Sequence, residues 1–305
     1  MYRFGVDIGG TNIAFGIIND GYKMVYKSSV RFPHSSPEGV ADLINEFYHA
    51  SCRKMNIPCS QFECIGLCVP GSIDKRGETI INAYNLDFHQ VPLKRMVQER
   101  TGIRVQLTND ADAATLAEHG FGALKNKTNA ILVTIGTGIG GGIILNGKLF
   151  HGGKGNGIEL GHIVMDIHGE KCTCGRNGCV ETLCSASYLN KRAKELCWHG
   201  RGAMGNYSVD SVDGKILIHE AMNGDNACVT VWKEYVKNLS EAFASYINLY
   251  DPECIAIGGG ISGAGEFLIK PLSILAVQKC FFKDNPPEIV CAKLGNDAGL
   301  LGSVI

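Results

Sequence analysis

The 305-residue sequence predicts a two-domain α/β protein, and three observations predict it. At roughly 100–200 residues per domain, the length suits two units that each bury a core. Two strand pairs, far apart in the chain, are each joined by a glycine-rich tip. Elsewhere apolar residues recur at helical spacing. Hydrophobic residues make up 45% and charged residues 19%, the balance of a globular chain rather than a disordered or fibrous one.

In chain order, Phe4, Val6 and Ile8 alternate with other residues, Gly9-Gly10-Thr11 turns the chain, and Ile13, Phe15 and Ile17 alternate again. That is a strand, a glycine turn and a returning strand. A helix over Pro37–Asn56, a short strand over Cys64–Val69, a Pro70-Gly71 turn and a helix over Pro92–Thr101 follow. Ala111–His119 reads as a helix, with Thr108-Asn109-Asp110 supplying polar side chains for its N-cap. The domain boundary is expected there, with a small domain over 1–117 joined by a C-terminal helix over 297–305, and a large domain over 118–296. The β-branched run Ala130–Ile135, the turn Gly136-Thr137-Gly138-Ile139-Gly140-Gly141-Gly142 and the run Ile143–Leu145 repeat the first hairpin, which suggests a duplicated design. Val229, Trp232, Val236, Leu239, Phe243 and Ile247 mark a long amphipathic helix ending before Asp251-Pro252. A strand over Cys254–Ile257, the turn Gly258-Gly259-Gly260 and another helix follow, whereas 199–213 reads as a surface loop of no legible function.

Lys plus Arg number 29 against 30 Asp plus Glu, a net charge of −1, so nothing attracts nucleic acid or anionic lipid in bulk. No apolar run approaches the ~18 residues that span a bilayer. Met1 to Asp7 reaches an acidic position without a signal-peptide core. A cytoplasmic protein with neither nucleic-acid nor membrane partners is expected. The 13 cysteines are an odd count that fits reduced thiols or a metal site better than a disulfide framework. The ten outside the cluster at 172–179 are expected to be small buried apolar filler.

Three groups of residues could carry chemistry. Gly136-x-Gly138-x-x-Gly141 matches a dinucleotide fingerprint, but a strand rather than a helix follows it, against the requirement of that motif. A glycine-tipped hairpin can instead surround a phosphate with backbone N–H groups, and two could clamp one polyphosphate; the plain alternative is two ordinary hairpins. Asp7 beside one tip could hold Mg²⁺ through its water shell. His162 with Cys172, Cys174 and Cys179 completes the tetrahedral donor set of a closed, structural Zn²⁺ site; the alternative is unmetallated thiols. Asp110, Glu159 and Glu181 could accept hydrogen bonds from hydroxyls, against the plainer roles of helix cap for Asp110 and solvated carboxylates for the other two.

Taken together, Asp7-Ile8-Gly9-Gly10-Thr11, Asn109-Asp110-Ala111, Gly136 to Gly142, Glu159-Leu160-Gly161-His162 and Cys172-x-Cys174-Gly175-x-x-Gly178-Cys179-x-Glu181 resemble the ROK family of sugar kinases and repressors. Ile257-Gly258-Gly259-Gly260 and Asn296-Asp297-Ala298-Gly299-Leu300-Leu301-Gly302 extend the resemblance over essentially the whole chain. The resemblance implies an actin-like (ribonuclease H-like) two-domain fold, with ATP and sugar in a cleft whose closure excludes water. It implies that Asp110 is the catalytic base and that Gly71, Asn109, Asp110, Glu159, His162 and Glu181 bind the sugar, with one His162 nitrogen on sugar and the other on zinc. Gly9, Gly10, Thr11, Asn12, Thr137 and Gly138 would hold the ATP phosphates, Gly258 and Gly259 would border the adenosine, and Asp7 would hold Mg²⁺ indirectly.

Asn12 and Asp112 depart from the family pattern, where many members have Lys and Asn; both adjoin functional positions. The implied activity is an ATP-dependent hexokinase acting on the 6-hydroxyl of glucose or allose. Cys179-Val180-Glu181-Thr182 and Leu183-Cys184-Ser185 are similar to the matching stretch of D-allose kinases. The alternatives are an N-acylhexosamine or other hexose kinase, a non-catalytic sugar sensor, and a zinc-containing dehydrogenase. The family's repressors carry a helix-turn-helix ahead of the first motif and here six residues precede Asp7, so a DNA-binding repressor is not expected. A homodimer, or a tetramer, is the expected assembly.

Overall fold

The computed structural model describes residues 1–32, 36–153 and 157–305. The chain divides into two units: Met1–Gly122 with Leu149–Ile158 and Leu294–Ile305, and Ala123–Lys148 with Glu159–Lys293. Residues 117 and 118, between which the sequence places the boundary, lie inside a helix over Asp110–Phe121.

The first unit begins with strands β1 (Tyr2–Ile8), β2 (Asn12–Asn19) and β3 (Met24–Arg31), then helix α1 (Pro37–Met55). Strand β4 (Phe62–Val69), a small sheet of β5 (Ser72–Ile73), β6 (Ile80–Ala83) and β7 (Phe88–Val91), helix α2 (Leu93–Thr101), strand β8 (Val105–Asn109) and helix α3 (Asp110–Phe121) complete its first stretch. The main sheet has the order β3-β2-β1-β4-β8; β1 to β3 run antiparallel, and β4 and β8 are parallel to β1. The alternation read from Phe4, Val6 and Ile8 is the inward face of β1, where all three are fully buried and pack with Phe15, Ile44 and Tyr48.

The second unit contains β9 (Ala130–Ile135), β10 (Ile139–Leu145) and β11 (Lys148–Leu149), then α4 (Val180–Cys184), α5 (Ala186–Trp198), α6 (Gly214–Met222) and α7 (Asn226–Tyr250). Strand β12 (Cys254–Gly258), helix α8 (Glu266–Lys279) and strand β13 (Glu288–Cys291) follow. The sheet order is β11-β10-β9-β12-β13, with β10 antiparallel and β12 parallel to β9, and β13 parallel to β12. Both units thus repeat one pattern: an antiparallel hairpin with a glycine tip, then two parallel strands beside its first strand. The duplicated design expected from the two tips is present. Helix α7 buries Trp232, Val236, Leu239, Phe243 and Ile247 of the stripe its spacing predicts, with Val231 and Tyr235 beside them, whereas Val229 is only half-buried.

The last element, α9 (Ala298–Gly302), returns to the first unit and packs against β1, β4 and α3. A Cβ on Gly66 of β4 would lie 2.1 Å from the Ser303 carbonyl oxygen, so only glycine lets the chain end approach the sheet this closely. The helix expected over 297–305 is shorter than that. Val304 and Ile305 donate to Leu301 and Gly302, each three residues back, the tighter 3₁₀-type bonding common at helix C-termini.

The loop expected over 199–213 also differs, for Gly202–Asn206 forms a 3₁₀ turn and Met204 and Val212 are buried. Two isolated apolar anchors give no period to detect. All 13 cysteines are free. Of the ten outside the 172–179 cluster, eight are buried and Cys59 and Cys291 are half-buried, close to the role of apolar filler. No helix among the described residues is long and apolar enough to cross a membrane.

Candidate active site

In the first unit the tip between β1 and β2 is closed by a bond from Gly9 N to Asn12 O at 2.9 Å, leaving Thr11 and Asn12 exposed. Asp7, at the end of β1, is half-buried, and burial pushes its carboxyl up while a bond with Cys68 and the Lys27 charge oppose that rise.

The start of α3 separates two functions that the sequence left merged. Asn109 is the N-cap: its Oδ1 accepts from Ala111 N at 2.8 Å and Asp112 N at 3.2 Å. Its Nδ2 donates to the carbonyl of Gly71 at 2.7 Å, which ties the turn after β4 to the helix start. Asp110 is therefore the first helical residue rather than the cap, and its Oδ1 accepts from Ala111 N at 2.8 Å. The residue keeps an open surface, yet the protein around the carboxyl strips its hydration and pushes it up to about 6. The Ala111 N–H opposes the rise, and the Asp7 and Asp112 charges add to it. Asp112 also pairs with His151 at 3.3 Å, which joins the 149–158 segment to this helix start.

In the second unit the tip between β9 and β10 rests on the start of α5: Ala186 N donates to Gly136 O at 2.8 Å and Ser187 Oγ to Thr137 O at 2.6 Å. Gly259, at φ +82°, crosses behind the tip, where a Cβ would meet Ile135 O at 2.3 Å. A cavity of about 690 Å³ opens along α5, lined by Ser187, Asn190, Lys194, Trp198 and Val209 among others.

His162, Cys172, Cys174 and Cys179 place their donor atoms within 4.8 Å of one another. Cys174 and Cys179 sulfurs are 3.6 Å apart, and Cys172 Sγ is 3.5 Å from His162 Nδ1. Zinc with Zn–S bonds of about 2.3 Å spaces its tetrahedral sulfurs by roughly 3.8 Å, so the four donors fit that ion. Because Nδ1 faces the sulfurs, Nε2 of His162 is free to face something else. The loop is shaped by Cys172 N donating to Arg176 O at 2.7 Å and by Gly178 at φ +64°, where a Cβ would lie 1.6 Å from Asp166 O.

Glu159 is exposed just before the 3₁₀ turn Leu160–His162, and Glu181 stands in the first turn of α4, its Oε2 accepting from Ile139 N at 3.0 Å. The structure thus groups Glu159, His162 and Glu181 with the cysteines and the second tip in one unit, and Asp7, the first tip, Gly71, Asn109 and Asp110 in the other. The sequence reading missed two supports of this arrangement. Tyr246 and Tyr235 of α7 donate to the carbonyls of Leu160 and Cys184, at 2.9 and 2.8 Å. Their signal was available, since a tyrosine on the buried stripe of a helix needs a partner for its hydroxyl.

Residues 3–305 match the sequence profile of the ROK family. The chain belongs to the ROK family. It is 34% identical over 309 residues to the glucokinase of Thermotoga maritima, covering 98% of this chain and 95% of that one. A ROK family glucokinase from Streptomyces griseus, solved in complex with glucose and AMPPNP, superposes with a TM-score of 0.83 at 32% identity, over 100% of this chain and 98% of that chain. The xylose repressor of Bacillus subtilis is 28% identical over 309 residues, covering 99% of this chain but 75% of the repressor. The mixed α/β fold with two repeated sheets is thus the fold of ROK glucokinases.

Proposed function

We propose that this ROK protein transfers the γ-phosphate of ATP to the 6-hydroxyl of an aldohexose, with glucose as the preferred acceptor and allose its nearest competitor. It is an ATP-dependent sugar kinase. The observation that carries the catalytic reading is at α3, where Asn109 takes over the capping and leaves Asp110 with a carboxyl of raised proton affinity. A general base works best with a pKa near the working pH, and Asp110 at about 6 is ionised at neutrality yet basic enough to take the sugar proton. Phosphoryl transfer otherwise needs positioning and charge neutralisation, with no covalent bond to the protein.

Thr11, Asn12, Gly9 and Gly10 in one tip and Thr137 and Gly138 in the other are the proposed phosphate contacts. Gly258, Gly259 and the cavity along α5 would take the nucleoside. Glu159, His162 Nε2, Glu181, Asn109 and the turn at Gly71 would hold sugar hydroxyls. The Asp7 charge adds to the rise at Asp110, a repulsion that a divalent cation would relieve, so Asp7 suits Mg²⁺ held through its waters. Mg²⁺, when bound with ATP, neutralises charge on the phosphate oxygens. A closed four-donor zinc site leaves no open position for water, so zinc would brace the loop.

The repressor relatives favour a second reading, a sugar sensor without catalysis, which needs no base. An assay coupled to ADP release over a panel of hexoses separates the two: the kinase releases ADP only when glucose or allose is present, and a sensor releases none. A cytoplasmic homodimer, or a tetramer built from it, is the proposed state.

A further inference from the structure

The Glu181 carboxylate is split between two elements of the second unit. Oε2 accepts the Ile139 N–H at 3.0 Å, and the same oxygen lies 2.3 Å from where a Cβ on Gly138 would stand, so the carboxylate packs against the tip as only glycine allows. Oε1 accepts from the Thr173 hydroxyl at 3.3 Å and lies 3.8 Å from Cys172 Sγ. A cysteine that binds zinc is deprotonated and cannot donate, so with zinc bound Thr173 is the donor that fixes Oε1. An ionised carboxylate has about four acceptor positions, and these two bonds leave others for sugar hydroxyls.

We infer that Thr173 is a positioning residue: its hydroxyl and the Ile139 N–H hold Glu181 as a strut between the sugar and the phosphate-binding tip, so that sugar and nucleotide bind with positive cooperativity. The inference rests on the sugar and phosphate contacts proposed above. Glu181 touches both the proposed sugar site and the tip, so a ligand that fixes it from one side presents it already fixed to the other ligand, which then loses less freedom on binding. Linkage makes the effect reciprocal, each ligand tightening the other by the same factor. Thr173 itself lies on the exposed zinc loop and touches neither substrate in this scheme.

Titration calorimetry of zinc-loaded protein, with glucose in the presence and absence of a non-hydrolysable ATP analogue, tests this. The wild-type protein should bind glucose about fivefold or more tighter when the analogue is present. Thr173→Val should reduce that factor to within about twofold of unity while keeping its zinc, Thr173→Ala should do the same, and Thr173→Ser should restore the coupling. Valine or alanine variants that retain the wild-type factor overturn the inference. So does loss of zinc in those variants, because Thr173 would then brace the metal loop alone. If the wild type phosphorylates glucose but shows no coupling, the strut is wrong and the kinase reading stands; if it binds neither ligand, both fall.

Discussion

At the scale of single residues, the proposed chemistry turns on Asp110. Its folded-state pKa of about 6 lies above the ordinary 3.8, so the folded chain holds this proton more tightly than the unfolded chain does. The carboxyl therefore opposes folding once it ionises: the penalty is absent below about pH 4, grows through about pH 6 and is complete above that. Asp110→Asn removes it, and thermal melts should show a larger gain in Tm at neutral pH than near pH 4. An equal shift at both would contradict the raised pKa. As the proposed base the same group would set the acid limb of catalysis, and kcat/KM for glucose is expected to fall about tenfold per pH unit below about 6. A flat profile down to about pH 5 would mean that another group takes the proton. The sequence made the polar run Thr108-Asn109-Asp110 legible as a helix start but not the division of labour within it. Asn and Asp are almost equally good caps, and a one-residue difference in where the helix begins is settled by the bond from Asn109 to Gly71, a contact 38 residues away in the chain.

At the scale of elements, the zinc loop is where local sequence and local structure agree most closely, because its four donors lie within one short stretch and need no distant partner to be recognised. Zinc bound by these four donors would contribute folding energy to the loop. Cys174→Ser should release the metal, and elemental analysis of the purified variant should read near zero zinc per chain. Glu159 and Glu181, the proposed sugar contacts, flank this loop, whereas the proposed phosphate contacts reach it only through Glu181, so glucose binding should weaken more than ATP binding. An unchanged glucose affinity in metal-free protein would refute the bracing role. Gly178→Ala should behave like Cys174→Ser, because a methyl group there would meet the Asp166 carbonyl at 1.6 Å and the φ of +64° is strained for alanine; full zinc occupancy in that variant would show that the loop can shift. The hairpins were legible for a comparable reason, since alternation and glycine tips are written in consecutive residues. What escaped were features set by tertiary contact: Met204 as the anchor of an otherwise polar loop, the shortened α9, and Thr173, whose partner Glu181 becomes visible only when the loop closes.

At the scale of the whole molecule, the two units share one strand order and one placement of the glycine tip, and the proposed phosphate contacts fall at the equivalent place in each. From the sequence that repetition offered a polyphosphate clamp beside the plain alternative of two ordinary hairpins, whereas the choice of acceptor is not readable, because glucose and allose differ only in the configuration of one hydroxyl. The proposed homodimer has its own check: light scattering after size exclusion should give twice the 32.8 kDa chain mass, and a monomer at assay concentration would refute it. The central claim, phosphoryl transfer with Asp110 as the base, is tested most directly by the turnover of Asp110→Asn in the coupled ADP assay with glucose. The substitution keeps an oxygen that can accept the Ala111 N–H, so the variant should fold, hold zinc and bind both substrates, yet turn over at least roughly a hundredfold more slowly than the parent. A folded variant that phosphorylates glucose at close to the parental rate would contradict the account.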